Sequence, residues 1–147
     1  MATLFDTNVW LALTFSSHPF HDQAKAVFDK ATPKSPACFC RATQQSFLRL
    51  ASTPVILAAY GATAFTNEDA LHLLNSLTAL PQIGFLDEPK AAEPLWYRFA
   101  SLKTASPKVW MDAYLAAFAI KGGAEFVTLD KDFTKLEKHG LQLVLLP

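Results

Sequence analysis

The chain has 147 residues, enough for one compact domain with a sizeable buried core. Hydrophobic residues make up 51% and charged residues 18%, which excludes a disordered chain and points to a dense core or an oligomer. Thirteen basic residues balance thirteen acidic ones, so net charge gives no global pull toward nucleic acid or membrane, although a local basic patch stays open.

Leu4-Phe5 reads as a short buried strand and Thr7 to Phe15 as a helix, with Asp6 at the hinge between them. "HPFHDQAKAVFDKA" has amphipathic spacing and predicts a second helix. "SPACFC" is a strand after a proline break, and "RATQQSFLRLAS" a helix that must stop near Pro54. "PVILAAYGATAF" is apolar and ambiguous between loop, short helix and partner surface. "TNEDALHLLNSLTAL" predicts a helix, with Thr66 or Asn67 as its cap and acids in its first turn. "IGFLDEP" is a strand whose Asp87-Glu88 reads as a capping turn, and "PKAAEPLWYRFASL" is a helix. "SPKVWMDAYLAAFAIKGG" is a helix expected to be capped by Ser106, to begin at Pro107 and to end before Gly122-Gly123. "EFVTLD" is a strand, "KDFTKLEKHG" a short helix closed by Gly140, and "LQLVLL" a last strand.

Strands alternate with helices and no hairpin signal appears, so the expected fold is α/β, with a parallel sheet covered on both faces. No repeat, low-complexity tract or linker is visible, so residues 1–147 are expected to form one domain. Cys38 and Cys40 are too close in sequence for an ordinary disulfide, and the four histidines do not supply metal-ligand spacing. Two reduced thiols suit a cytoplasmic protein. There is no basic targeting region, and "VWMDAYLAAFAI" is too short and too acidic to span a membrane. Trp10, Trp96 and Trp110 are expected in the core.

In parallel α/β sheets, ligands sit beyond the carboxyl ends of the strands. Asp6, Asp87 and Asp130 each follow a predicted strand. Asp6 is equally explained as a helix cap. Asp112 is harder to explain structurally, because it is the only charge between Lys108 and Lys121 in a helix apolar on nearly every side. A carboxylate there must be paired, protonated or bound to a cation. Either Asp130 or Asp132 can cap the helix that follows, and Thr128 can hydrogen-bond a loop or a carboxylate.

Together these acids carry more weight than singly. A doubly covered sheet can bring Asp6, Asp112 and Asp130 to one edge. Two such charges about 4 Å apart repel by about 4 kcal/mol at an intermediate dielectric, so three require a cation. Oxygen ligands without His or Cys point to Mg²⁺ or Mn²⁺. Such an ion can activate water and steady charge building on a phosphoryl group, which is the logic of a metal-dependent nuclease.

"LFDTNVWLAL", "WMDAYLAAFA" and "FVTLDKDF", in that order and spacing, resemble the PIN-domain ribonucleases, and in particular the VapC-type toxins of bacterial toxin–antitoxin pairs. The resemblance runs along essentially the whole chain. It implies a three-layer α/β/α fold with a mostly parallel sheet of about four to five strands. It also implies a Mg²⁺-dependent endoribonuclease acting on RNA, usually a homodimer, held inactive by a cognate antitoxin protein. The family's metal-site acids carry over to Asp6, Asp112 and Asp130. Thr7, Asn8 and Thr128 match polar supporting positions, and Asp132 matches a recurrent acid of structural or supporting role. One feature departs from the family. "CRATQQSFLRLA" lacks the usual glutamate; Ser46 falls closest to its position, beside Gln44 and Gln45. Three acids in place of four should weaken metal affinity.

Arg41, Arg49, Lys108 and Lys131 lie near the proposed site in sequence and could bind phosphates, though each singly reads as ordinary solvated charge. The missing glutamate motivates an alternative, a catalytically weak or inactive protein-binding module of the same fold, with the apolar 53–65 stretch as its contact. A phosphotransfer domain ranks below both. "FDTNV" lacks the second aspartate of the haloacid-dehalogenase-like phosphatases, and a receiver domain's acid pair and late lysine have no clear match.

Overall fold

The computed structural model describes residues 1–61 and 65–146. Five strands form one sheet: β1 (Thr3–Phe5), β2 (Ala37–Phe39), β3 (Ile83–Phe85), β4 (Glu125–Thr128) and β5 (Gln142–Leu145). Every pairing is parallel, and the order across the sheet is β3-β2-β1-β4-β5. The chain therefore builds outward from β1 in one direction through β2 and β3, then returns to the other side for β4 and β5. The switch point lies between β1 and β4, whose register pairs Leu4 with Phe126 and Phe5 with Val127.

Strand alternation divides the core in two. Phe5, Phe39 and Val127 face α1 (Thr7–Thr14), α3 (Arg41–Ala51), α4 (Pro54–Ala59) and α5 (Asn67–Thr78), meeting Val9, Trp10, Phe47, Leu57 and Leu74. Leu4 and Phe126 point the other way, onto Leu115, Phe118 and Phe133. These belong to α7 (Val109–Gly122) and to the 3₁₀ segment Lys131–His139. α2 (His21–Phe28) packs on α1, and α6 (Ala92–Ala100) on α7. Period-two alternation in strands of three or four residues is thus enough to cover both sheet faces, giving the α/β/α arrangement.

The ambiguous stretch after Pro54 is helical through Ala59, with proline in its first turn; residues 62–64 lie outside the described residues. Thr66 caps α5 in a reciprocal box with Asp69. α7 ends on Gly123, whose φ of 65° closes a left-handed cap, and the 3₁₀ segment ends on Gly140 in the same way.

Three expectations are corrected. α7 begins at Val109 and not at Pro107, because Ser106 to Lys108 form a turn in which the Val109 N–H donates to the Ser106 carbonyl. The Ser106 hydroxyl pairs with Thr104 and leaves the helix end uncapped. Asp87-Glu88 does not cap α6, which starts at Ala92 without a side-chain cap; Glu88 accepts from the Tyr114 hydroxyl at 2.7 Å. Of the three tryptophans only Trp10 is core. Trp96 is half-buried and Trp110 is 54% exposed, because the helix turn that carries it faces away from the sheet.

Phe39 stacks on Trp10 at 3.8 Å and meets Phe47 edge-on, all three fully buried. Phe39→Ala should cost about 3–5 kcal/mol in urea unfolding. A loss under about 1 kcal/mol would mean that the Trp10 ring closes the gap.

Candidate active site

β1 ends at Phe5, and the Asp6 N–H still donates to the Val127 carbonyl at 2.9 Å, so the acid is mounted on the sheet itself. Asp6 does both things its position suggested. Its Oδ1 accepts from the Thr7 N–H at 2.8 Å, capping α1, and its Oδ2 accepts from the Thr128 hydroxyl at 2.7 Å. Thr128, the last residue of β4, is fully buried. Its hydroxyl also accepts from the Asp130 N–H at 3.0 Å. Asn8 braces the same turn, with its Nδ2 3.5 Å from the Thr128 hydroxyl and its Oδ1 accepting from the Leu129 N–H at 3.3 Å. One hydroxyl therefore locks the ends of the two strands that flank the switch point.

Asp130 caps the 3₁₀ segment through the Asp132 N–H at 2.9 Å, leaving Oδ2 free of backbone partners. Lys108 fills that vacancy. Its Nζ lies 3.1 Å from Asp130 Oδ2, 3.5 Å from Asp132 Oδ2 and 4.0 Å from Asp112 Oδ2. Asp112 reaches this edge because it stands in the first turn of α7, and helices that cross a parallel sheet begin near the strands' carboxyl ends.

The charges are coupled. Burial pushes the Asp6 carboxyl up to about 6, against the Thr128 and Thr7 hydrogen bonds, with the Asp112 and Asp130 charges adding to the rise. Burial also raises Asp112, opposed by Lys108 and reinforced by Asp130 and Asp132. At Asp130 partial burial is outweighed by the Asp132 N–H and by Lys108, which hold that carboxyl low. Lys108 is correspondingly raised, above all by its hydrogen bond to Asp130.

The donor chemistry fits a hard divalent cation. Only oxygen ligands are present, their mutual repulsion is under-compensated, and an ammonium group already stands where a cation is wanted. Among the described residues no three His, Cys, Asp or Glu side chains are drawn into a coordinating cluster, and Lys108 stands within 3.1 Å of Asp130 and 4.0 Å of Asp112.

The remaining sequence candidates stand on α3, which begins directly after β2. Gln44 accepts from the Arg41 guanidinium, which lies 4.8 Å from the Phe85 ring, so both are engaged with each other on the surface of α3. Among the described residues no hydrogen bond links Gln44 or Ser46 to the aspartates. Lys108 was the residue undervalued in sequence; its i,i+4 spacing to Asp112 was the available signal.

Residues 3–139 match the family model of the PIN domain. The chain belongs to the PIN-domain family. It is 44% identical over 144 residues to Ribonuclease VapC41 of Mycobacterium tuberculosis, covering 97% of each chain. Solved structures of similar fold include VapBC-1 from nontypeable Haemophilus influenzae, with a TM-score of 0.67 at 18% identity over 99% of this chain and 98% of that one. VapBC2 from Rickettsia felis, bound to a promoter DNA fragment, gives 0.66 at 13% over the whole of both chains. Mycobacterium tuberculosis VapC20, described as a sarcin-ricin loop cleaving toxin, gives 0.63 at 15% over 96% of each.

The PIN-domain centre here carries a pH signature. Because folding raises the Asp6 pKa from 3.8 to about 6, the fold holds that proton more tightly than the unfolded chain. Stability from this group is complete below about pH 4 and is lost as pH rises through about 6. In EDTA, Asp6→Asn should therefore gain on the wild type between those limits, by up to about 3 kcal/mol in urea unfolding. A gap that does not change with pH would show that Asp6 titrates alike in both states.

Proposed function

We propose that this chain is an endoribonuclease, the toxin of a toxin–antitoxin pair, which uses Asp6, Asp112 and Asp130 to hold Mg²⁺, or Mn²⁺ in its place, against an RNA phosphodiester. The observation that carries this reading is the electrostatic one. Asp112 and Asp130 share the Lys108 ammonium, at 4.0 and 3.1 Å, and the Thr128 hydroxyl ties Asp6 to the turn that presents Asp130, so three carboxylates gather at the switch point around one lysine counter-ion. The naming of the 44% identical relative as a ribonuclease supports the reaction class. Toxin–antitoxin complexes among the structures of like fold support an antitoxin as protein partner. A homodimer and a cytoplasmic setting belong to the same reading; among the described residues no helix is long and apolar enough to cross a membrane.

A divalent cation at this site would supply Lewis acidity, easing the deprotonation of water and the charge that builds on the phosphate. The chain's own residues do the positioning. Thr7 and Thr128 fix both oxygens of Asp6, so it cannot rotate away. Asn8 and Thr128 hold the turn that presents Asp130. Lys108, displaced from Asp112 and Asp130 but kept nearby by Asp132, is placed to meet a phosphate oxygen. With no carboxylate contributed by α3, Ser46 and Gln44 can offer only neutral polar groups to a hydrated ion.

Asp112→Asn and Asp6→Asn should each lower Mg²⁺-dependent cleavage of total cellular RNA by about two orders of magnitude or more, with EDTA abolishing it. Full cleavage by both folded variants would sink the assignment. Absence of metal-dependent cleavage by folded, antitoxin-free wild type would leave a PIN-fold protein-binding module.

Lys108→Ala provides an independent check by calorimetry. Removing an ammonium about 4 Å from the acids should tighten Mg²⁺ binding by roughly five- to tenfold while lowering stability in EDTA. Unchanged affinity would mean that the ammonium does not compete for the cation's place.

A further inference from the structure

Beside the acid centre the surface opens into a cavity of about 500 Å³, between the end of α6, the start of α7 and the 3₁₀ segment. That volume suits the enclosure of a small organic group, for which about 300–1,000 Å³ is usual. The floor is apolar and firmly backed. Phe133 is fully buried in the second core cluster, and Phe99 and Leu136 pack against the same cluster. Phe99 and His139 form an aromatic pair with ring centroids 5.3 Å apart, and the Arg98 guanidinium lies 5.8 Å from the Phe99 ring.

The walls carry charge of one dominant sign. Arg98, Lys108, Lys135 and Lys138 line the cavity against two acids, Asp112 and Asp132. Those acids and Lys108 also belong to the candidate active site, so the two share a wall. Lys135 lines the cavity from the 3₁₀ segment, one turn beyond Asp132.

An aromatic floor alone would accept any flat apolar group. A cationic wall alone would accept any anion. A ligand that offers a flat ring and a phosphate side by side, and repeats them, is a nucleic-acid strand. Single-stranded RNA is read by splaying bases onto aromatic and guanidinium planes. We infer that this cavity takes one nucleobase of a single-stranded RNA, next to the phosphate presented to the acids. Phe99 and His139, whose rings are inclined at 49° to each other, cradle it between them, and Arg98, Lys135 and Lys138 bind the flanking phosphates. The inference rests on the ribonuclease reading and adds to it the place where base preference is set.

The test has a binding arm and a cleavage arm. In EDTA, fluorescence anisotropy compares a labelled single-stranded oligoribonucleotide with versions made abasic at each position in turn. Wild type should lose about tenfold in affinity when one particular base is missing. Phe99→Leu, which keeps an apolar floor, should lose that discrimination, and the exposed His139→Ala should weaken it without affecting the fold. Lys138→Ala should weaken intact and abasic strands alike and reduce the salt slope by about one. In Mg²⁺, fragment ends mapped from total RNA should show a base preference beside the cut, and Phe99→Leu should flatten that preference while slowing cleavage at the preferred site. Equal binding of intact and abasic strands would overturn the pocket whether or not RNA is cut. So would an unchanged preference in an active Phe99→Leu, leaving the ribonuclease itself intact. Loss of antitoxin binding by Phe99→Leu, with RNA discrimination preserved, would assign the cavity to the protein partner and also overturn the inference.

Discussion

The buried carboxylate of Asp6 is the constraint on which the rest of this structure turns. It accepts one hydrogen bond from the start of α1 and one from the hydroxyl of Thr128 across the switch point. Both are needed, because a carboxylate this enclosed loses its hydration and must recover it from protein donors. The recovery is incomplete, as the raised pKa shows. A site that is well bonded yet still short of positive charge is poised to accept a cation. A fully compensated one would gain little from it.

Much of the frame was legible in the sequence because it is written locally. All five strands fall where apolar runs meet turn residues, and the strict alternation of Leu4 with Phe5 and of Phe126 with Val127 assigns each to its side of the sheet. Gly123 and Gly140 mark their helix ends because left-handed backbone favours glycine. The acids were legible for a related reason. A charge inside an apolar run, as at Asp112, contradicts its surroundings and asks for an explanation.

What was not legible depends on pairs distant in the chain. Ser106-Pro107 carries every local mark of a helix start, yet the helix begins two residues later. Its place goes to a turn that leaves Lys108 beside Asp130, twenty-two residues away. Trp110 looks like core by composition and is exposed, since exposure follows from which face of α7 meets the sheet. The cavity is the clearest case. Arg98 and Phe99 carry no sequence signal toward Lys135 and His139, and only the packing of α6 and the 3₁₀ segment against α7 gathers the two pairs.

Lys108 links these parts. A chain that concentrates acids at one edge must keep them from repelling each other open before any metal arrives, and a tethered ammonium does so without competing as strongly as a divalent ion. Its side chain is mostly exposed, at 68%, so it can leave at little cost in packing. It also lines the cavity, so leaving the acids would place its charge where an incoming phosphate needs it. The absent α3 glutamate fits the same electrostatic logic. With one fewer negative charge at that edge, a single lysine comes closer to neutralising the aspartates gathered there.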